Sequence, residues 1–192
     1  MHMNAGKVLI LSPNIGFHMG LGGGCRVAII MAELLAKKGF EVVLAALRGL
    51  PTEILDEIHG TQLSMFKTKG LVKEAYIFGY GPPPRIPFPL AVRLTILHLR
   101  RLIRKHSPTL LIFHDDIPKS LENVLHQSYT GVILYSHFPY VARVLLNLYE
   151  PWEKYLGDQK GLLQRAYRTL LKQVLDIPRD LDVKLVSNST VT

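Results

Sequence analysis

The sequence is poor in the features that would commit it to several common classes. It has a single cysteine, Cys25, in 192 residues. That excludes an internal disulfide and suits a reducing compartment. No uninterrupted apolar run reaches the roughly 20 residues that a spanning helix needs, so the sequence reads as soluble or bound at a membrane surface. There is no internal repeat, no low-complexity tract and no His/Cys/Asp/Glu grouping with metal-ligand spacing. Acid is scarce: 15 Asp and Glu stand against 23 Lys and Arg, a net charge of +8, and no acid occurs between Arg85 and Lys105. Such a balance favours anionic partners, whether nucleotides, lipid head groups or nucleic acid. Apolar residues are plentiful at 48%, enough for one sizeable α/β core.

The stretch from Lys7 to Leu44 organises the rest. Lys7–Ser12 is a short apolar run with β-branched residues and predicts a buried parallel strand ended by Pro13. The loop Asn14–Gly24 carries Gly16, Gly20, Gly22, Gly23 and Gly24. Cys25–Lys38 has helical composition, and Gly39 after two lysines is a helix stop. Glu41–Ala46 is a second apolar strand, completing a βαβ unit with an expected right-handed crossover. The glycines stand where a strand hands over to a helix N-terminus. There, unpaired N–H groups and the helix dipole favour an anion such as phosphate. A glycine run that merely lets the chain turn is the plainer alternative, although so many glycines are entropically costly without a close-approach reason.

Two phosphate-binding fingerprints are missing. After Gly20-Leu-Gly22 a dinucleotide site wants a further glycine or alanine at position 25, which is Cys25. It also wants an acid after the second strand, where Ala45-Ala46-Leu47-Arg48 stands. Arg48 suits an NADP phosphate, which keeps an oxidoreductase reading open. No Gly-Lys-Ser/Thr follows, so the loop is not a P-loop.

Beyond Ala46, Arg48–Gly60 predicts a loop with a short helix, Gln62–Phe66 a third strand, and Lys67–Pro87 an irregular segment. In it Tyr76, Phe78 and Tyr80 alternate, as a short strand or an exposed aromatic lip. Phe88–Lys105 predicts a helix stopped near Ser107-Pro108. At about 100° per residue, Val92, Ile96, Leu99, Leu102 and Ile103 share a core face. Arg93, Arg100, Arg101, Arg104 and Lys105 share the opposite arc, interleaved with Leu90, Leu94 and Leu97. That arc suits an anionic membrane surface or, equally, plain solvent.

Thr109–His114 and Gly131–Ser136 predict the fourth and fifth strands and Asp182–Val186 the sixth, with helices starting at Pro118 and over 140–149 and 161–175. The class is α/β, a doubly wound, mostly parallel sheet of about six or seven strands. Ligands of such sheets sit beyond the carboxyl ends of strands, where His114, Asp115 and His137 fall. A buried, backbone-bonded His137 and a helix-capping Asp115-Asp116 pair are the plainer roles.

Three segments carry a resemblance: Gly22-Gly-Gly-Cys-Arg-Val27, Tyr135-Ser-His-Phe-Pro139 and Leu185-Val-Ser-Asn-Ser-Thr190. Together they resemble the N-terminal, acceptor-side domain of retaining GT-B glycosyltransferases of the group-1, family-4 type. They are similar to the mannosyltransferases that build lipid-linked oligosaccharides. Cys25 departs from the pattern, since related proteins often carry glutamate there. The resemblance implies a Rossmann-like domain over residues 1–192. It implies a second, donor-binding half beyond Thr192, making this chain the first half of a longer enzyme that is inactive alone. The donor is a GDP- or UDP-sugar, with no permanent cofactor and no metal. The acceptor is a lipid-linked molecule or glycan, and the location is cytoplasmic, peripheral on the membrane face. By the same resemblance His137 stands near the transferred sugar. Gly22, Gly23, Gly24, Arg26 and Asn188 line the donor-phosphate and substrate side, joined by His114 and Asp115 from their place at strand ends; on the reading of the basic arc, Arg93, Leu97, Arg100 and Arg104 face the membrane. An NADP-binding oxidoreductase domain and a non-catalytic anion- or nucleic-acid-binding domain are the alternatives; no nucleic-acid recognition motif supports the last.

Overall fold

A computed structural model of the chain describes residues 6–12, 15, 23–81, 88–114, 131–136 and 183–187; within it the side chains of 88–92, 134, 136 and 183–187 are not described. Six strands form one sheet in the order β3-β2-β1-β4-β5-β6, and every neighbouring pair is parallel. They are β1 (Lys7–Leu11), β2 (Glu41–Ala46), β3 (Val72–Tyr76), β4 (Leu110–Phe113), β5 (Gly131–Ser136) and β6 (Val183–Ser187). Helices α1 (Gly23–Lys37), α2 (Thr52–His59), α3 (Leu63–Thr68) and α4 (Phe88–His106) connect the first four. The predicted doubly wound α/β class is what the chain adopts.

Both faces of the sheet are buried, and residue parity decides which core each side chain joins. Val8, Ile10, Val42, Leu44, Ala46, Val72 and Ile112 pack under α1, α2 and α3, against Cys25, Ala28, Ile29, Ala32, Leu55, Leu63 and Phe66. Leu9, Leu11, Val43, Ala45, Leu111, Phe113 and Val132 face the other way, against Leu99, Leu102 and Ile103 of α4, with Ile96 packed beside them. The core face predicted for α4 is therefore the observed one for these four residues. Helix α1 ends as expected at Gly39, whose φ of +86° is left-handed. Gly39 N–H donates to the Ala36 carbonyl at 3.0 Å and Phe40 N–H to that of Leu35 at 3.1 Å, which satisfies the last turn.

Two expected elements are different in the structure. Gln62–Phe66 is not a strand: Leu63–Thr68 is the helix α3. The Asp56 carboxylate, one helix away, accepts from Leu63 N–H (2.6 Å), Ser64 N–H (2.9 Å), Ser64 Oγ (2.6 Å) and Thr61 Oγ1 (2.7 Å). That supplies the partners a helix start lacks, and Leu63 and Phe66, three apart, both reach the core. The third strand is instead Val72–Tyr76, inside the segment read as irregular. It is the edge strand on this side of the sheet. Its two charges are paired, Lys73 with Glu41 and Glu74 with Lys67, each at 2.6 Å. The helices expected after Pro118 and over 140–149 and 161–175 lie outside the described residues.

Candidate functional site at the carboxyl edge of the sheet

β1 and β4 are neighbours in register, Leu11 beside Phe113. From β1 the chain crosses to β2 on one side, while β4 pairs with β5 on the other. The crevice outside their carboxyl ends is the topological switch point, where open α/β sheets bind ligands. Ser12 and His114 are the first residues past the two strands. Ser12 N–H donates to the Ala45 carbonyl and His114 N–H to that of Leu11, both at 3.0 Å, so backbone bonds hold both in place. His114 is only 1% exposed, and its ring lies 5.2 Å from the Tyr135 ring with a 31° tilt. It is a buried ring at the base of the crevice.

Helix α1 starts at this same edge, with Gly23 exposed as its first residue. Among the described residues, a Cβ built on Gly23 would meet nothing within 4 Å, so they leave the space over this backbone open. Arg26 is exposed one turn on. Cys25 points inward, fully buried, with its Sγ 3.9 Å from His59 Nε2. Burial pushes its thiol up to about 11, so it stays protonated near neutral pH and acts as a packing group, since nucleophilic cysteines are thiolates.

A second group gathers around Glu74 of β3; the sequence singled out its Tyr76 and Tyr80 as alternating aromatics, but not Glu74, Thr52 or Lys67. Glu74, with 8% of its side chain exposed, accepts from Thr52 N–H at the start of α2 (3.1 Å), from Lys67 Nζ (2.6 Å) and from Tyr80 Oη (2.7 Å). Burial alone would lower the Lys67 ammonium, but the hydrogen bond and charge of Glu74 outweigh it and hold its pKa up. The bond to Glu74, with some burial, raises the Tyr80 phenol. Burial, then the Glu74 charge, pushes the Tyr76 phenol well up. Among the described residues, Ser12 Oγ, Thr52 Oγ1 and Tyr76 Oη are buried hydroxyl oxygens with no hydrogen-bond partner. Ser12 directly follows β1, Thr52 opens α2 after β2, and Tyr76 ends β3; an unpaired buried hydroxyl costs about 1–3 kcal/mol. Only pairing in space identifies them, because serine, threonine and tyrosine at these positions carry no motif.

Gly23, Gly24, Arg26 and His114 thus lie on the carboxyl edge, while Gly22, Asp115, His137 and Asn188 lie outside the described residues. Arg93, Arg101, Arg104 and Lys105 are exposed on α4, Leu97 is 61% exposed, and Arg100 is half-buried. Arg48, the residue suited to NADP, is half-buried beside Gly81, whose Cβ would come within 3.4 Å of Arg48 Nη1.

An all-parallel sheet in the order 3-2-1-4-5-6, with a glycine-opened helix at its switch point, defines a Rossmann-like α/β domain. The sequence model of the family described as Glycosyltransferase Family 4 matches residues 21–177, and the chain belongs to that family. No curated protein matches the sequence. Among solved structures the chain is similar to a deacetylase triple mutant involved in the teicoplanin biosynthetic pathway, at 14% identity and a TM-score of 0.37. That match covers 70% of this chain and 65% of the deacetylase, so the chain spans under two thirds of its length. It is also similar to UDP-glucose 4-epimerase from Bifidobacterium longum in complex with NAD+ and UDP, at 14% identity and a TM-score of 0.39, over 96% of this chain and 78% of that one. Both likenesses are too distant to bear on function.

Proposed function

We propose that the chain is the acceptor-side domain of a two-domain glycosyltransferase that moves a sugar from a GDP- or UDP-sugar to a lipid-linked or glycan acceptor. The observation that carries this reading is the open backbone at Gly23, at the switch point of a family-4 domain. N–H groups at the start of α1 are suited to the donor diphosphate. They would stabilise the charge that develops on the leaving phosphate more than the charge of the ground state, which is what accelerates a reaction. His137 is proposed beside the transferred sugar, and a second Rossmann-like half would hold the rest of the donor. In a thermal-shift screen of the full-length gene product against UDP- and GDP-sugars, NADP and RNA, a sugar nucleotide is the expected stabiliser. At 100 times its Kd a ligand contributes about 2.7 kcal/mol. Stabilisation by NADP or RNA alone would overturn the reading.

The acceptor is proposed to be met at a membrane surface, on the cytoplasmic side. Among the described residues no helix is long and apolar enough to cross a membrane. The outer arc of α4, however, exposes Arg93, Arg101, Arg104 and Lys105 around Leu97. Each cation near an anionic surface contributes roughly 1 kcal/mol, within a Debye length, and Leu97 adds apolar contact. The protein is expected to pellet with phosphatidylserine-containing vesicles at low salt and to be released by high salt. Replacing Arg93, Arg101 and Arg104 together with glutamate should abolish pelleting while the circular dichroism spectrum stays unchanged. Undiminished pelleting by the triple variant would make α4 an ordinary solvated helix.

A further inference from the structure

Among residues whose side chains are described, Tyr80 is the only aromatic counted with the exposed large apolar residues, at 50% exposure. It is nonetheless held rigidly. Past their last paired residues, β2 and β3 stay zipped: Ile77 N–H donates to Ala46 O, Phe78 N–H to Leu47 O, Gly49 N–H to Gly79 O and Gly81 N–H to Gly49 O, all between 2.9 and 3.2 Å. Tyr80 forms a parallel bridge with Gly49. Gly79 and Gly81, with φ of +68° and +110°, make the turns on either side of it that L side chains rarely allow. Gly49 has no room for a side chain, because a Cβ there would fall 2.2 Å from the Tyr76 ring. The Tyr76 and Tyr80 rings meet edge to face at 5.9 Å. The Tyr80 hydroxyl is tied to Glu74, which also holds Lys67.

A ring fixed at its backbone, its edge and its hydroxyl presents its remaining face at no further entropic cost on binding. Among the described residues, Glu74 bonds its hydroxyl, Lys67 shares that carboxylate, the Tyr76 ring meets its edge, and Arg48 lies beside the neighbouring Gly81. A protein partner would want a wider apolar area. A ligand with one apolar face and a polar rim fits better, and a pyranose is such a ligand, with C–H groups on one face and hydroxyls around its edge. We infer that Tyr80 is the stacking floor of a carbohydrate subsite at the carboxyl end of β3, with the Lys67 ammonium at its rim. The inference rests on the glycosyltransferase reading and places a sugar of the acceptor there.

The test is NMR of the 192-residue chain with ring-13C tyrosine, titrated with the methyl glycosides of glucose, mannose and N-acetylglucosamine. At least one should shift the Tyr80 ring signals saturably and receive saturation from that ring. Tyr80→Ala should weaken that binding about tenfold, and Tyr80→Phe, which keeps the ring but loses the Glu74 anchor, about two- to threefold. Retained amide dispersion checks folding, and Tyr80→Leu replaces the alanine variant if it unfolds. Binding unchanged by loss of the ring, or shifts confined to the surroundings of Gly23 and His114, would overturn the subsite and leave the glycosyltransferase reading standing. If neither the glycosides nor UDP- and GDP-sugars shift any signal, and the full-length protein also binds no sugar nucleotide, both readings fall.

Discussion

Gly23→Val in the full-length enzyme is expected to cut turnover about a hundredfold, the scale of losing an anion-stabilising donor, while leaving the melting temperature within a degree or two. The two halves of that expectation have separate causes. No described atom lies within 4 Å of a Cβ at Gly23, and its φ falls outside the left-handed range, so none of the described residues requires glycine there. A side chain at the first turn of α1 even removes some of the entropy that glycine loses on folding. The requirement comes from the proposed donor diphosphate, which must approach the backbone. Steady-state kinetics beside calorimetry of the same preparation decides it. Full activity in Gly23→Val would reduce the glycine to a turn residue. Gly49 is the internal control: Gly49→Val should destabilise strongly, since its Cβ collides with the Tyr76 ring.

The second large effect is on stability. Asp56→Ala is expected to lower the unfolding free energy by about 2–3 kcal/mol and the melting temperature by about 5–10 °C, because it strands the donors at the start of α3. The same residue predicts a pH signature. Burial would raise the Asp56 carboxyl, but hydrogen bonds from the Ser64 side chain and backbone, from Thr61 and from Leu63 outweigh it and hold it below the ordinary range. A carboxylate depressed in the folded state contributes stability that is complete above its unfolded pKa, about 3.9. That contribution is lost as pH falls through the lower folded value. Urea unfolding at a series of pH values should therefore show a steeper acid-side loss in the parent than in Asp56→Ala, with the two curves converging at the acid end. Parallel curves would mean that Asp56 is not what holds α3.

The reading of α3 as a strand and the placing of the third strand at Val72–Tyr76 share one cause. Gln62-Leu-Ser-Met-Phe66 looks like a strand because short apolar runs have no period of their own. What makes Leu63–Thr68 helical is Asp56, which belongs to another helix, and Glu33 of α1, whose Oε1 accepts from Gln62 N–H at 3.0 Å. Val72-Lys-Glu-Ala-Tyr76 looks unlike a strand because it carries two charges. It is one because Glu41, Lys67, Thr52 and Tyr80 pair those charges from outside it. In both cases the deciding partner is absent from any local window.

The sequence by itself determined the elements whose signal is carried within them. β1, β2, β4, β5 and β6 are short apolar runs bounded by breakers. α1 is stopped by Gly39 and α4 before Pro108, and each buries one continuous stripe. From these alone follow the α/β class, the glycine-opened helix after the first strand and the basic outer arc of α4. Only the tertiary structure decided that Gly23 is open whereas Gly49 is not, that Cys25 is a packed thiol, that His114 is covered by Tyr135, and that Glu74 gathers Thr52, Lys67 and Tyr80 at one edge. Openness, burial and pairing are relations between residues far apart in the chain. They exist only once the sheet has brought the ends of β1, β2, β3 and β4 side by side.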